Sequence, residues 1–389
     1  AQQPASCEFG LVPQDTALLN PLWVAGDALP DALAPNTLTP QLKAGGASGD
    51  YNSYRGIAVG SVVCKLYESV LNARLSQRAE TLGLRAASQC GFRPEHSTLD
   101  GQFILRHFID RSRLAGRPLY AVFVDFSKAF DLLDRDVLID VWRRMGVSGT
   151  FLGALTRLYE RVLMRVKLSG RLGQPFGTRW GTKQGSPLSP LLFGGMIEQL
   201  CALIAKRLPG AGPLLSGLRV PHILYADDVV LLTETPADMQ HLLDVVAVFC
   251  EMFGMRVNMT KTEAVVFSAG SRAPRGVEFL FQGAVVKMAH QYKYLGLLFH
   301  DKKGSGVCAA KRAECGQRAA ISMVGRARAL HLDQADFLCR LFDQLVETTL
   351  SYGCQLWGPG VACRAFTKAL AAQPTAQQGQ QPRQPHVLD

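Results

Sequence analysis

The stretch Tyr225-Ala226-Asp227-Asp228 places two adjacent carboxylates between the apolar runs 222–224 and 229–232. Apolar runs of this length are typical of buried strands, so we expect the acids at the tip of a hairpin. Two ionised carboxylates side by side repel each other and lose hydration unless a cation neutralises them. Mg²⁺ binds one or two carboxylates together with substrate phosphates, which indicates phosphoryl or nucleotidyl transfer. The alternative is a solvent-exposed turn, where Asp is common.

Composition indicates a globular protein. The 389 residues are 48% hydrophobic and 19% charged, enough for a large core. No apolar run is long enough to span a bilayer and the first residues lack a signal-peptide pattern, so we expect an intracellular protein that contacts no membrane. Ten cysteines without C-x-x-C spacing argue against a zinc site or a disulfide framework. The chain begins with Ala1, which indicates a piece of a longer or processed protein.

The positive charge is concentrated in one segment. Residues 256–330 contain 13 Lys and Arg against four Asp and Glu, which gives +9 of the net +10. A segment this basic after an acidic hairpin suits a partner with a phosphate backbone. An ordinary solvated basic face is the alternative.

Local patterns predict a mixed α+β fold with an antiparallel hairpin at its centre. Residues 1–50 are expected to form loops and short elements, residues beyond about 306 mainly helices, and residues 371–389 a disordered tail. Helices are predicted to start after Ser61, Ser97, Asp134, Pro187 and Thr235, and strands to cover Tyr120–Val124, Ala264–Phe267 and Tyr294–Phe299. The apolar spacing predicts buried faces formed by Val62, Val63, Leu66, Val70, Leu71 and Leu75 in the first helix and by Leu99, Phe103, Ile104 and Phe108 in the second.

Nucleotidyl transfer with two metal ions needs a third carboxylate from another element, so that both ions are bound from two sides. Asp125 ends a predicted strand 102 positions before Asp227, and it is the best candidate. An exposed turn aspartate is again the alternative.

Three ordered motifs resemble the central motifs of reverse transcriptases of LINE-type, non-LTR retrotransposons. They are Val124–Asp131 (VDFSKAFD), Gln184–Pro190 (QGSPLSP) and Tyr225–Asp228 (YADD). Further blocks are similar to that family: Tyr54–Ile57, Gln89–Arg93, Asn258–Phe267 and Tyr292–Gly296. The resemblance runs from about Leu42 to Phe299. It implies a right-hand polymerase architecture, with fingers at 51–119, a palm with a central antiparallel sheet at 120–299, and a thumb-like helical region at 300–370, after an N-terminal extension at 1–50.

The resemblance implies an RNA-directed DNA polymerase that adds dNTPs to a primer 3′-hydroxyl. Asp125 and Asp227 would be the principal ligands of two Mg²⁺ ions, for which Mn²⁺ can substitute, with Asp228 beside them. Lys261 is a candidate to protonate the leaving pyrophosphate or to neutralise its charge, with a solvated lysine as the alternative.

The nucleotide-binding residues also follow from the resemblance. Phe130 would lie beneath the incoming sugar and exclude a 2′-hydroxyl, with palm core packing as the alternative. The backbone of Phe126 to Ala129 would offer N–H groups to the triphosphate. Gln184 and Gly185 fit a turn whose backbone must approach the nucleotide and template closely, which is a reason for glycine. Arg55 and Lys43 match positions that would bind the β- and γ-phosphates, although the sequence around Lys43 departs from the family pattern.

The expected partners are an RNA template, a DNA primer or nicked target DNA, and dNTPs. Template and primer contacts would come from Arg93, Tyr225 and a primer-gripping hairpin at Tyr294-Leu295-Gly296. Within cells, a nuclear or cytoplasmic ribonucleoprotein is expected. Two other interpretations stay open: a truncated or domesticated copy that binds nucleic acid without polymerising, and an RNA-templated RNA polymerase or maturase-like relative, against which Phe130 argues.

Overall fold

The computed structural model describes residues 35–43, 45–160, 162–268 and 276–372. Its strands are β1 (Pro35–Leu42), β2 (Tyr54–Val59), β3 (Leu119–Val124), β4 (Leu163–Leu168), β5 (Arg171–Leu172), β6 (Phe176–Gly177), β7 (Leu214–Leu215), β8 (Leu218–Arg219), β9 (His222–Tyr225), β10 (Asp228–Thr233), β11 (Glu263–Phe267), β12 (Leu280–Phe281), β13 (Ala284–Val285), β14 (Lys287–Met288), β15 (Gln291–Tyr294) and β16 (Leu297–His300). Its α-helices are α1 (Val62–Thr81), α2 (Thr98–Ala115), α3 (Arg135–Arg144), α4 (Gly149–Glu160), α5 (Ser189–Arg207), α6 (Pro236–Phe253), α7 (Gly306–Ala329), α8 (Ala335–Leu341), α9 (Thr348–Ser351) and α10 (Cys354–Ala372). In this part of the chain, no helix combines the length and apolar character that crossing a membrane requires.

The central sheet has the strand order β14-β11-β3-β10-β9. Its middle strand β3 is fully buried and pairs antiparallel with both β10 and β11, while the short β14 joins β11 in parallel. β9 and β10 form the predicted hairpin. The mixed α and β content and the antiparallel centre predicted from the sequence are therefore confirmed.

A second sheet corrects the expectation that residues up to 50 form loops and short elements. Residues 35–42 form the eight-residue strand β1, which pairs antiparallel with β2 and parallel with β4. Its β4 partners lie 128 positions away in the sequence, so no local pattern predicts this strand. Residues 1–34 and the tail from 373 onward lie outside the described residues.

Helix boundaries follow their capping signals. The Ser61 side chain accepts a hydrogen bond from the Cys64 N–H (3.1 Å), and Ser97 and Asp100 form the predicted capping box of α2. Thr235 caps α6, which ends at Gly254 in a left-handed conformation. These caps are local in sequence, which is why the pattern predicts them well.

Two apolar clusters cover opposite faces of the central sheet. α1, α5 and α6 pack with Val122 and Val124, whereas α2 and the β15–β16 hairpin pack with Ala121 and Phe123. The predicted helix faces were partly wrong, because Val62, Leu66 and Phe103 are exposed. The buried faces instead include polar side chains: Tyr67 and Glu68 in α1 and Gln102 in α2.

The predicted single strand Tyr294–Phe299 is also corrected, because it is divided between the strands of a hairpin. Tyr294 pairs with Leu297 across a two-residue turn in which Leu295 and Gly296 have φ values of 45° and 91°. Such a turn matches the twist of the flanking strands. The chain from 306 to 372 is mainly helical, as expected.

Candidate active site

The three predicted carboxylates lie at one end of the central sheet. Val124, the last residue of β3, pairs with Val229, so Asp125 follows directly where Asp228 begins β10. Asp228 itself pairs with Tyr225, and Ala226 and Asp227 form the hairpin turn. The fold thus brings together residues separated by 102 positions in the sequence.

Burial and repulsion between the acids raise the pKa of both Asp227 and Asp228. Burial raises the pKa of Asp227, and the charge of Asp125 raises it further, while Arg55 and Lys261 lower it. Burial also raises the pKa of Asp228 to about 6, with added contributions from Asp227 and Asp125. A nearby cation would favour the ionised carboxylates and so lower the pKa of both acids.

Asp125 is held by the segment that precedes β11. Its N–H donates to the Thr262 hydroxyl (3.2 Å), and its carbonyl accepts from the Asn258 N–H (2.7 Å). The Lys261 Nζ lies 3.7 Å from the Asp125 carboxylate, which places this predicted residue at the site. The motifs did not single out Thr262 as a functional residue. In the structure Thr262 is fully buried directly before β11.

The donor chemistry fits a hard divalent cation, since carboxylate oxygens are what Mg²⁺ accepts. Asp125, Asp227 and Asp228 are therefore the residues that could hold it. No three His, Cys, Asp or Glu side chains converge as a ready-made metal site anywhere in the described ranges. The role of these acids as metal ligands therefore remains a prediction.

Several groups of the segment after Asp125 make contacts within the protein. Phe126 is buried, with its ring 6.3 Å from that of Phe249. The Ser127 N–H donates to the Arg256 carbonyl (2.7 Å), so within the predicted range 126–129 this N–H already has a partner in the protein. Phe130 is half-buried against Phe193, with 4.5 Å between ring centroids. This contact supports the packing alternative.

The turn at Gln184-Gly185 rests on β2. The Ala58 N–H donates to the Gln184 carbonyl (2.6 Å), and the Gln184 amide donates to Asp131 (2.6 Å). Gly185 has a φ of 117°, and a Cβ there would stand 2.5 Å from the Ala58 carbonyl oxygen. Glycine is therefore required here by the close contact with β2. The predicted approach of this turn to the nucleotide and template stays a prediction.

The predicted phosphate-binding cations differ in their surroundings. Arg55 is exposed on β2, and its charge acts on Asp227. The Lys43 ammonium donates to the Asn52 carbonyl (2.7 Å). Lys128, which the sequence interpretation did not single out, donates to the Asn52 side chain (3.2 Å) from a left-handed turn after Asp125. Asn52 therefore accepts hydrogen bonds from two cationic side chains, Lys43 and Lys128.

Arg93 and Tyr225 occupy different environments. The Arg93 guanidinium bonds both Glu80 carboxylate oxygens (3.0 Å each) and the Ala86 carbonyl, so its hydrogen bonds serve the protein itself. Tyr225 lies beside the exposed Phe92, with 6.4 Å between ring centroids.

The hairpin predicted at Tyr294-Leu295-Gly296 is present, but one of its side chains points inward. Tyr294 is only 2% exposed, so its ring packs in the core rather than meeting a template or primer. The Leu295 carbonyl accepts from Gln102 (2.6 Å) and from the Tyr352 hydroxyl (2.7 Å). These bonds fix the turn against α2 and the C-terminal helices.

Comparison with known families decides the class of protein. The family "Reverse transcriptase (RNA-dependent DNA polymerase)" matches residues 42–299, the range that carries the carboxylates and all the motifs above. The chain therefore belongs to the reverse transcriptase family.

Its relatives are non-LTR retrotransposon proteins, as the motifs predicted. The Pol polyprotein of the type-1 element R2 from Popillia japonica is 27% identical over 52% of this chain and 34% of its own length. The probable RNA-directed DNA polymerase of transposon BS from Drosophila melanogaster is 26% identical over 79% of this chain and 34% of its own length. The chain thus spans about a third of these relatives. Among solved structures, apo telomerase from Candida tropicalis aligns with a TM-score of 0.48 and 14% identity, over 73% of this chain and 58% of the other.

Proposed function

We propose that this chain is an RNA-directed DNA polymerase, which extends a DNA primer with dNTPs on an RNA template. One observation carries the proposal: Asp125 and the Asp227-Asp228 pair meet at the same end of the central sheet, inside the segment that matches the reverse transcriptase family.

The acids and cations around this site have complementary tasks. Asp125 and Asp227 would hold two Mg²⁺ ions, or Mn²⁺ in their place, with Asp228 beside them. When bound, the ions supply activation of the 3′-hydroxyl and neutralisation of the departing pyrophosphate. Lys261, 3.7 Å from Asp125, would add positive charge where pyrophosphate leaves. Arg55 would bind the outer phosphates, since its charge already reaches Asp227.

The proposed architecture is a right hand, with fingers at 51–119, a palm at 120–299 and a thumb at 300–370. The strongly basic segment 256–330 would bind the template–primer duplex through its phosphates. The partners would be an RNA template and a DNA primer or nicked target DNA, and the site of action would be the nucleus or cytoplasm.

Primer extension tests the proposal. We expect Mg²⁺-dependent incorporation of dNTPs on an RNA template with a DNA primer. Asp227→Asn should reduce incorporation at least about 100-fold, because the metal ligand that it removes is worth several kcal/mol to the transition state. Asp244→Asn, a change to an exposed acid on α6, is the matched control and should leave the rate unchanged.

Absence of incorporation by the intact chain, with retained binding to the template–primer, would contradict the proposal. That result would favour the alternative of a nucleic-acid-binding protein that does not polymerise. Incorporation that survives Asp227→Asn would instead remove the assignment of the active site.

A further inference from the structure

Residues 88–91 run along the free edge of β9 and end beneath the acidic turn. The Leu224 N–H donates to the Ser88 carbonyl and the Cys90 N–H donates to the Leu224 carbonyl, both at 2.9 Å. The Ser88 hydroxyl also lies 2.9 Å from His222 Nδ1. This segment therefore extends the central sheet beyond β9 and covers an edge that would otherwise be unpaired.

The Gln89 side chain holds the acidic turn directly. Gln89 is 3% exposed, and its Oε1 accepts from the Gly91 N–H (2.8 Å) and from the Ala226 N–H (3.2 Å). Ala226 has a φ of 57°, a left-handed conformation that non-glycine residues avoid. Such a conformation persists only where the surrounding structure stabilises it. The hydrogen bond from the Ala226 N–H to the Gln89 oxygen provides such stabilisation. Asp227 follows Ala226 directly, so the direction of its carboxylate depends on this bond.

Gly91 packs directly against the backbone of the acidic turn. A Cβ at this position would stand 2.3 Å from the Ala226 nitrogen and 2.9 Å from the Tyr225 carbonyl carbon. Both are backbone atoms of the turn, so no side-chain rotation can make room. Glycine is thus required here for space, and any larger residue must push the acidic turn away.

We infer that Gln89 and Gly91 form a backbone clamp that positions Asp227 and Asp228 for metal binding, so that both are positioning residues of the active site. The inference rests on the proposed polymerase function for its kinetic consequences. Its structural part concerns the direction of the two carboxylates and can be measured without turnover.

The first test replaces Gln89 by methionine, which keeps the length of the side chain but removes the acceptor. We expect kcat for dNTP incorporation to fall about 100-fold, as a displacement of reacting groups by about 1 Å does, with an unchanged Kd for the template–primer. Mn²⁺ affinity of the free protein, measured by electron paramagnetic resonance, should also fall. Gln199→Met is the matched control, because the amide of this partly buried glutamine donates to Gly195 of its own helix.

The second test uses Gly91→Ala, with Gly194→Ala on the neighbouring helix α5 as control. A Cβ at Gly194 meets no atom within 4 Å, so this control should retain wild-type kcat and Mn²⁺ affinity. Gly91→Ala should lose both. Because this variant leaves the Gln89 amide in place, it keeps the inference testable if Gln89→Met does not fold.

The outcomes separate the clamp from the proposed function. A purely structural role would lower the melting temperature while kcat per folded molecule and Mn²⁺ affinity stayed at wild-type values, and this result would overturn the inference. If the intact chain incorporates no dNTP, the polymerase proposal fails, and the Mn²⁺ comparison between wild type and the two variants still decides the clamp.

Discussion

The aromatic ring of Phe130 packs against the core, and we propose that it also discriminates between deoxyribose and ribose. The ring lies 4.5 Å from Phe193, so the palm core holds it in place. We expect Phe130→Val to admit ribonucleotides and to lower the ratio of kcat/KM for dNTP over rNTP at least about 10-fold, because the smaller side chain no longer excludes the 2′-hydroxyl. Single-nucleotide incorporation measures this ratio. Phe253→Val, which removes a ring packed on Phe249 in α6, should leave it unchanged. Equal ratios in both variants would remove Phe130 as the sugar gate.

Glu198 makes stability depend on pH. Its Oε2 accepts from the Ala86 N–H (2.8 Å), its Oε1 has no hydrogen-bond partner among the described residues, and burial raises its pKa from 4.5 to about 7. The folded protein therefore binds this proton more tightly than the unfolded chain does. The free energy of unfolding of the wild type should fall as pH rises from about 4.5 to about 7, and stay at the lower level above that.

Glu198→Gln removes this dependence while it retains an acceptor for Ala86. We expect the variant to exceed the wild type in free energy of unfolding by on the order of 2 to 3 kcal/mol at pH 8 and by little at pH 4.5. Urea unfolding at pH 4.5, 6 and 8 measures the difference. A difference that does not change with pH would show that the Glu198 carboxyl titrates normally in the folded protein.

At the scale of elements, the sequence predicts what is decided locally. The caps at Ser61, Ser97 and Thr235 and the acidic hairpin were correct because each is fixed by a few adjacent residues. Strand β1 was missed because its stability comes from pairing with distant β2 and β4. The buried faces of α1 and α2 were misjudged because Glu68 and Gln102 are buried with polar partners that a hydrophobic pattern does not show.

The same limit applies to the candidate site. The acids, Phe130 and the Gln184 turn could be predicted from motifs, whereas the bonds that orient them could not. Thr262 and Gln89 lie within blocks that resemble the family, but the motifs do not reveal their hydrogen bonds. Only the fold shows that Thr262 holds Asp125 and that Gln89 holds Ala226. The inward position of Tyr294 likewise depends on which side of β15 faces the sheet.

The turn at Gln184 is joined to α1 by a buried ion pair. The Lys183 ammonium donates to Glu68 at 2.9 Å, and the two side chains are 4% and 3% exposed. Removing one partner leaves a charge buried and unpaired, so Lys183→Met should lower the free energy of unfolding by about 3 to 5 kcal/mol. Lys183→Met combined with Glu68→Leu should recover much of this stability. Urea unfolding of the single and double variants measures the coupling, and strictly additive effects would contradict it.

For the whole molecule, the separation of charge predicts how it meets nucleic acid. The carboxylates gather at one end of the central sheet, and most of the net positive charge belongs to residues 256–330. Arg326 and Arg328 are exposed at the end of α7, where they can reach phosphates. The double variant Arg326→Gln, Arg328→Gln should weaken template–primer binding and reduce the slope of log K against log salt by roughly 0.9 for each phosphate that is no longer neutralised.

A control of equal charge separates direct phosphate binding from overall attraction. Arg143 and Arg144 are exposed on α3 and paired with Asp140, so replacing both with glutamine also lowers the net charge by two. If the basic segment holds the duplex, binding measured from low to moderate salt should show a smaller slope for the α7 variant and a nearly wild-type slope for the α3 variant. Equal slopes in both variants would mean that net charge alone attracts the nucleic acid, and would remove the basic segment as its binding surface.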